Sequence, residues 1–591
     1  MLRNEEEIKK EFELWKINTE ENAELQEQLA AMEHNEKERT DAFYKNLEFG
    51  TGGLRGIMGV GTNRMNIYTI SRATWGVAAY IMNHFPKEKQ SVAISYDSRL
   101  NSKKFAERAA EIFASCGIRV FIYSELMPTP MLSWAVRRLE CSAGIMITAS
   151  HNPAEYNGYK VYKHDGCQIT NEAAEEILRQ MDNSYYFERE EILTFEDARK
   201  TGIIQFICDD VIDAFIDAVK NQSLLTDPAE ADKGISVVYT PLNGTGLKPV
   251  IRVLREAGYK NVFVVPEQEL PDGNFPTCSV PNPEEMKAME LGMKYAQKRQ
   301  ADILLATDPD CDRVGVAVAG QNGFFVKLSG NEVGVLLLNY LCKKRMEAGT
   351  MPLNPVFLKS IVTTQLAELI AEHYGVRTIN LMTGFKYIGE QIGVFEQEGN
   401  KDNFIFGFEE SCGYLSGTYV RDKDGVEAAL LICEMAAYYK KLGESLFSVL
   451  EGIYKKYGYH LNTLHTFRFE GANGEKQIAE IMAKIRTNVE RLRGCNNKIV
   501  GQKAFNKILA IESSLLECRC QNKIEEKTIK DITEDELLKL NLDNNCILKM
   551  RTSGTEPKIK MYVEIIATDM AQAIDKEKIV LERFKELFFE L

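Results

Sequence analysis

Positive charge is what this sequence has too little of: 72 Lys and Arg face 86 Asp and Glu, a formal net charge of −14. That deficit argues against non-specific nucleic-acid binding, which needs a basic face. It leaves room for an anionic substrate, because a local basic pocket can sit within an acidic surface. Long apolar runs are missing as well, and none approaches a membrane span. The N-terminus, Met1-Leu2-Arg3-Asn4-Glu5-Glu6-Glu7, lacks the apolar core of a signal peptide. A cytoplasmic protein with no membrane partner is therefore expected. Cysteines are present without a framework. The 13 of them are an odd number, scattered in mostly apolar contexts such as Ile207-Cys208 and Ile432-Cys433, which predicts buried, reduced thiols. Cys518-Arg519-Cys520 lacks the second half of a zinc site.

The chain is too long for one core and fits roughly three to five domains. Over residues 1–45, charged residues alternate with Ile8, Phe12, Trp15, Leu25, Leu29 and Met32. This spacing predicts one or two amphipathic helices packed on the body of the protein. Strand-like and helix-like segments then alternate: Val92 to Tyr96, a helix from about Ser102 to Ser115, Val120 to Tyr123, another helix, and an apolar strand ending near Ile147. Alternation of this kind predicts largely parallel sheets covered by helices, with reactive loops at the strand ends.

Five such loops carry chemistry-bearing residues. Phe49-Gly50-Thr51-Gly52-Gly53-Leu54-Arg55-Gly56 frees the backbone to approach an anion and aims a guanidinium at it. Thr148-Ala149-Ser150-His151-Asn152-Pro153 delivers a hydroxyl to the mouth of a sheet, and Lys160 follows close behind. A hydrolase nucleophile would also carry a serine here, but Gly-x-Ser-x-Gly is absent. Asp308-Pro309-Asp310-Cys311-Asp312-Arg313 sets three carboxylates at alternating positions past an apolar strand, an arrangement suited to a hard divalent cation. It lacks the glycine and the closing glutamate of an EF-hand. Glu409-Glu410-Ser411-Cys412-Gly413 follows Ile405 to Phe408. Arg551-Thr552-Ser553-Gly554-Thr555-Glu556-Pro557-Lys558 has the cationic ends, hydroxyls and glycine of a phosphate nest without Walker spacing.

Together, and in this order, these loops resemble those of the α-D-phosphohexomutases, most closely the phosphoglucomutase and phosphopentomutase branch. The resemblance runs from about Phe49 to the C-terminus. It implies an α/β fold of three related mixed α/β domains and a smaller α+β domain around a central cleft. The corresponding limits are an N-terminal helical extension over 1–45, then domains over 46–205, 206–313, 314–455 and 456–591. It implies a phosphoserine at Ser150 that exchanges its phosphoryl group with a sugar monophosphate through a bisphosphate. Mg²⁺ would be held by Ser150, Asp308, Asp310 and Asp312, with Arg55 and Arg313 offsetting phosphate charge. Lys160 is the candidate acid/base, with His151 the alternative.

Thr383, Gly384 and Lys386 fall in a family loop after a strand, and Arg421 in the matching run Arg421-Asp422-Lys423-Asp424-Gly425. Glu409 and Ser411 would hold sugar hydroxyls, a carboxylate and a hydroxyl two residues apart being suited to vicinal pairs. Arg551, Ser553, Gly554, Thr555 and Lys558 would grip the phosphate that is not transferred. The loop Thr240-Pro241-Leu242-Asn243-Gly244-Thr245-Gly246 departs from the family by carrying Asn243 where many members have histidine, so Asn243 is read as structural. The expected activity interconverts glucose 1-phosphate and glucose 6-phosphate, with glucose 1,6-bisphosphate as activator and intermediate, in a monomer or homodimer. Pentose or mannose phosphates, synthesis of the bisphosphate from another phosphoryl donor, and a silent sugar-phosphate-binding relative remain open alternatives.

Overall fold

The computed structural model describes residues 3–47, 49–50, 52–182, 186–187, 192–225, 227–320, 323–469, 477–483, 538–542, 545–552 and 558–588. It divides into two compact units, Met1–Ser360 with Ala371–Phe447, and Ile361–Ile370 with Ser448–Leu591. No helix among the described residues is long and apolar enough to cross a membrane.

The chain opens with three helices, Glu5–Asn18, Ala23–Met32 and Glu36–Phe43, where the apolar spacing predicts one or two. Asparagine restarts the helix each time: the side chains of Asn4, Asn22 and Asn35 accept from first-turn backbone N–H groups. Ile8, Phe12, Trp15, Leu25, Leu29 and Met32 are all buried, in one cluster with Phe43 and Val60.

Three sheets of the larger unit follow. The first contains β1 (Gly53–Ile57), β2 (Ser91–Tyr96), β3 (Arg119–Ile122), β4 (Ala143–Ile147), β5 (Tyr156–Lys163) and β6 (Ile204–Phe206), in the order β1-β5-β4-β2-β3-β6. The second contains β7 (Val237–Thr240), β8 (Val262–Val264), β9 (Ile303–Thr307), β10 (Val314–Ala319) and β11 (Phe325–Leu328), in the order β11-β10-β9-β7-β8. The third contains β12 (Val356–Ser360), β13 (Arg377–Leu381), β14 (Phe404–Glu409) and β15 (Gly413–Leu415), in the order β13-β12-β14-β15.

All three share one plan. A buried strand with a parallel neighbour ends, a short loop follows, and the next strand returns antiparallel beside it: β4 to β5, β9 to β10, β14 to β15. These are the loops of Ser150, of the three aspartates, and of Glu409 and Ser411. Each contains one non-glycine residue in the left-handed region, Ser150 (φ 52°), Cys311 (φ 52°) and Cys412 (φ 61°). β2, β4, β9, β12 and β14 are buried along their whole length, which is why they read as continuous apolar runs.

The described cysteines are free thiols, and Cys433 is buried as expected. Cys208 is not: Ile207 points inward, and Cys208 stands exposed at the N-cap of helix Asp209–Lys220. Cys518 and Cys520 lie outside the described residues.

The smaller unit holds β16 (Tyr459–Arg468), β17 (Leu538–Leu542), β18 (Cys546–Thr552) and β19 (Lys558–Ala567) in an antiparallel sheet ordered β16-β19-β18-β17, with helix Met570–Phe588 against it. Buried Glu564 of β19 ties the segment Ile361–Ile370 to this sheet. Its Oε1 accepts from Thr364 Oγ1 and Gln365 N, each at 2.8 Å, and lies 3.1 Å from His460 Nδ1. Burial pushes the carboxyl pKa upward, but the bond to His460 and the Lys549 ammonium outweigh it and hold the pKa at about 2, below the ordinary 4.5. A depressed carboxylate stabilises the fold above its unfolded pKa and loses that contribution as pH falls through the folded one. Glu564→Gln should therefore cost the smaller unit stability at pH 7 but little below pH 2. Unfolding free energies from urea titrations across about pH 5 to 2 should fall more for the wild type than for the variant, by on the order of 3 kcal/mol. Parallel curves would remove Glu564 from this account.

Candidate active site

β4 ends at Ile147, and the loop after it is held almost wholly by its neighbours Asp97 and Arg99. Thr148 Oγ1 donates to Asp97 Oδ2 (2.6 Å) and accepts from Ser150 N (2.7 Å). Arg99 reaches four carbonyls of the serine loop: Ser150 O at 2.6 Å, Pro153 O at 2.8 Å, Tyr156 O at 3.0 Å, and Asn152 O. Buried loop carbonyls need such a donor. Arg99 is itself buried and paired with Asp97 at 3.4 Å. The sequence places Asp97 and Arg99 beside a strand end without indicating this role. Arg55 of β1 joins from the other side, its Nη1 donating to Asn152 Oδ1 at 3.1 Å.

This clamp aims Ser150 at the second sheet. Ser150 Oγ donates to Asp308 Oδ2 at 2.8 Å, and both residues are buried. Asp308 Oδ1 accepts from the backbone of Asp312 (3.1 Å) and Arg313 (3.0 Å). Lys160 of β5 places Nζ 2.7 Å from Asp310 Oδ2 and 3.4 Å from Asp312 Oδ2. Lys423 lies 2.8 Å from Asp312 Oδ2. Thr129, at the start of helix Thr129–Arg138, donates Oγ1 to Asp310 Oδ2 (2.8 Å) and N to Asp310 O (2.9 Å).

The electrostatics divide the three carboxylates. Burial, with Asp312 and Asp310 nearby, pushes Asp308 well above the ordinary range. Burial also opposes ionisation of Asp310 and Asp312, but the ammonium groups of Lys160 and Lys423 outweigh it and hold both below that range. Burial pulls Lys160 and Lys423 downward in turn, and the aspartates more than reverse it, so both stay charged. Burial and the cations Arg313 and Arg55 lower His151 well below its usual pKa, leaving a neutral imidazole at neutral pH.

Each aspartate offers an oxygen within 4.8 Å of the others, and Asp310 Oδ1 and Asp312 Oδ1 are buried with no hydrogen bond. Hard oxygen donors gathered in one buried loop, two of them without a hydrogen bond to the described residues, fit a divalent metal ion.

The loop of Asn243 braces this arrangement. Asn243 Nδ2 donates to Leu270 O at 2.8 Å, a structural role, while Thr245 N and Oγ1 donate to Pro309 O at 2.8 and 2.9 Å. A Cβ on Gly244 would lie 2.4 Å from Pro309 Cα, so the two backbones touch.

The third sheet adds Glu409, whose Oε1 accepts from Gly384 N at 2.7 Å. Burial and neighbouring Glu410 push its pKa up to about 7. Gly384 follows Thr383 and precedes helix Phe385–Gln397. Arg313 bridges the second and third sheets: Nη1 pairs with Glu284 and donates to Ser411 O at 3.3 Å. Glu284, in the loop before helix Met286–Arg299, carries no sequence signal for this.

Two expected residues lie apart from the Ser150 cluster. Lys386 sits in the first turn of helix Phe385–Gln397, not at a strand end, and donates to Asn171 Oδ1 at 2.8 Å. The Arg421 guanidinium is buried against Glu396 at 2.5 Å and donates to Thr418 O and Val420 O. Lys423, two residues on, is the residue of that run that reaches the aspartates. In the smaller unit, Arg551 and Lys558 stand at adjacent ends of paired strands β18 and β19, with Arg551 Nη2 3.5 Å from Tyr562 OH. Ser553, Gly554 and Thr555 lie outside the described residues.

A serine held against a carboxylate loop of the neighbouring sheet, where three such sheets meet, fits the class of the phosphohexomutases. Residues 46–187, 213–321 and 329–457 match, in order, the phosphoglucomutase/phosphomannomutase alpha/beta/alpha domains I, II and III. A phosphoglucomutase of Staphylococcus aureus (strain bovine RF122 / ET3-1) is 35% identical over 547 residues, covering 91% of this chain and 93% of the relative. One of Staphylococcus haemolyticus (strain JCSC1435) is 34% identical over 533 residues, covering 90% and 92%. The crystal structure of a phosphoglucomutase/phosphomannomutase family protein from Burkholderia thailandensis shares the fold with a TM-score of 0.64 at 17% identity, covering 91% of this chain and 97% of that one. The chain belongs to the phosphoglucomutase/phosphomannomutase family, within the α-D-phosphohexomutase superfamily.

The Gly244 contact is directly testable. Gly244→Ala must push the aspartate loop away, a strain of about 1–3 kcal/mol. Divalent-metal affinity by calorimetry should fall by roughly tenfold or more, with the circular dichroism spectrum retained. Unchanged affinity would show that Pro309 yields without moving the aspartates.

Proposed function

We propose that this protein is a metal-dependent phosphoglucomutase that interconverts α-D-glucose 1-phosphate and glucose 6-phosphate. The observation that carries this reading is the buried Ser150 hydroxyl, 2.8 Å from Asp308 in an aspartate loop where Asp310 Oδ1 and Asp312 Oδ1 make no hydrogen bond with the described residues. Mg²⁺, held by Asp308, Asp310, Asp312 and the phosphorylated serine, would supply Lewis-acid stabilisation of phosphoryl oxygens.

The chain's own residues do the rest. Phosphorylated Ser150 donates its phosphoryl group to the free hydroxyl of a bound sugar monophosphate, giving glucose 1,6-bisphosphate. The bisphosphate turns over and returns its other phosphate to Ser150. Arg55 and Arg313 offset the charge of the transferring group, which is roughly −1.5 to −2 on the phosphoserine. Lys160, held charged beside Asp310, is suited to give a proton to Ser150 Oγ as the serine–phosphate bond breaks. Glu409, with a pKa pushed up to about 7, can accept or share a proton with a sugar hydroxyl, and Ser411 lies beside it. Arg551, Ser553, Gly554, Thr555 and Lys558 are assigned the phosphate that stays in place. Transfer between two ends of one sugar requires that both orientations be held, so positioning is the main demand on the site.

The test is conversion of glucose 1-phosphate to glucose 6-phosphate with catalytic bisphosphate, with kcat/KM compared across the glucose, mannose and ribose 1-phosphates. Turnover should require Mg²⁺, vanish with EDTA and return on adding the metal. Ser150→Ala should lose activity by at least about 10³-fold while still binding metal, and activity near the wild-type level in that variant would sink the proposal. Arg551→Ala should raise KM by about tenfold or more and leave Ser150 phosphorylation, read by intact mass, unchanged. A wild-type KM would remove the clamp.

A further inference from the structure

A cavity of about 460 Å³ opens within the larger unit, between helix Thr129–Arg138 and the segments around Glu396 and Tyr419. Its volume is in the range of small-molecule sites. Its walls are basic in an otherwise acidic protein. Arg137 pairs with Glu396 at 3.0 Å, and buried Arg421 pairs with the same carboxylate at 2.5 Å, so one anion serves two guanidinium groups. The side chains of Arg138 and Lys401, both exposed on the lining, make no ion pair or hydrogen bond with the described residues. Among the described residues, the other carboxylate of the lining is Glu140. Three cations of the lining, Arg137, Arg138 and Lys401, therefore face two carboxylates, and buried Arg421 behind the wall takes part of the charge of one of them. Unpaired basic groups around a concavity concentrate anions.

The pocket also has an aromatic wall. Trp134 is half-buried, and its ring lies edge-on to Tyr419 and to Phe215, each at 6.3 Å. Trp134 Nε1 donates to Val211 O at 2.9 Å, which fixes the ring. A rigid aromatic surface beside cations suits a ligand that joins a phosphate to a ring.

We propose that this pocket is a second anion site, taking a small phosphate monoester whose ring lies on Trp134 and whose phosphate meets Arg138 and Lys401. None of these residues takes part in the reaction proposed for Ser150, and the inference stands without that reading. Two structural routes run from the pocket to the metal loop. Helix Thr129–Arg138 carries Trp134 and Arg138 on the pocket and Thr129 on Asp310. Tyr419 OH donates to Asp424 Oδ2 at 2.6 Å, and the next residue, Gly425, donates N–H to Cys311 O at 3.1 Å.

The experiment is a titration of the full-length protein with AMP and, separately, with inorganic phosphate, followed by tryptophan fluorescence and calorimetry. The chain has three tryptophans, Trp15, Trp75 and Trp134, so Trp134→Phe identifies the reporting ring. AMP should change the emission of the wild type. In the Arg138→Gln/Lys401→Gln variant the AMP dissociation constant should rise by about tenfold, with glucose 1-phosphate turnover unaltered. Tighter binding of AMP than of phosphate would assign the ring to Trp134, and equal binding would assign the site to the phosphate alone. The proposal is overturned if AMP and phosphate both fail to bind up to about 10 mM, or if the double variant binds them as the wild type does.

Discussion

Three buried carboxylates in one loop are the constraint on which the larger unit is built. Asp308, Asp310 and Asp312 have almost no access to water, so their charge must be met by protein. The loop between β9 and β10 cannot meet it alone. Lys160 comes from the first sheet, Lys423 from the run after the third, Thr129 from a helix N-terminus, and the Ser150 hydroxyl from the end of β4. Removing one partner of such a cluster leaves an uncompensated buried charge, which typically costs about 3–5 kcal/mol. The same contacts that neutralise the aspartates thus hold three sheets in one arrangement, and that arrangement brings the serine to the loop.

The compensation stops short of saturation. Asp310 Oδ1 and Asp312 Oδ1 accept no hydrogen bond from the described residues, while Asp308 is the least disposed of the three carboxyls to ionise. A buried acceptor without a partner is a cost that folding normally eliminates. Here it coincides with the oxygen set a hard cation would take. Stability and chemistry meet in these atoms, since what the fold leaves unsatisfied is what a divalent metal would satisfy.

The repeated strand, loop and antiparallel return explains how unlike residues come to serve one site. In each sheet the loop leaves a buried strand with a parallel neighbour, turns through one left-handed residue and comes back at once. A short return leaves the loop little freedom, so its side chains are set by the sheet beneath. Strand ends in α/β sheets are where such groups collect. The repeat is hidden in the sequence because the three loops share backbone shape, and backbone shape there is compatible with serine or cysteine at the turning residue.

Much of the fold was legible locally. The buried apolar residues of the N-terminal helices, the helix Ser102–Ser115 and the strands before each loop follow from periodicity and run length, which the chain carries residue by residue. The extra N-terminal helix was missed because single asparagines, at Asn22 and Asn35, interrupt an otherwise continuous apolar spacing. Burial of Cys208 was misread because an apolar neighbour says nothing about the direction of the next side chain. Within the site, the residues that carry the loops, Ser150 and the three aspartates, were plain from motif. Those that hold or neutralise them, Asp97, Arg99, Thr129, Glu284 and Lys423, were not, because their partners are distant in sequence.

By itself, then, the sequence determined the type and order of the elements, the family, and which loops bear hydroxyl, carboxylate and cation, all of which are local or motif properties. The tertiary structure alone decided who meets whom: that Lys160 and Lys423 share the aspartates, that Arg421 turns instead to Glu396, and that Arg99 gathers the carbonyls of the serine loop. Those pairings depend on electrostatic compensation in a space closed by three sheets, and no single stretch of chain contains that space.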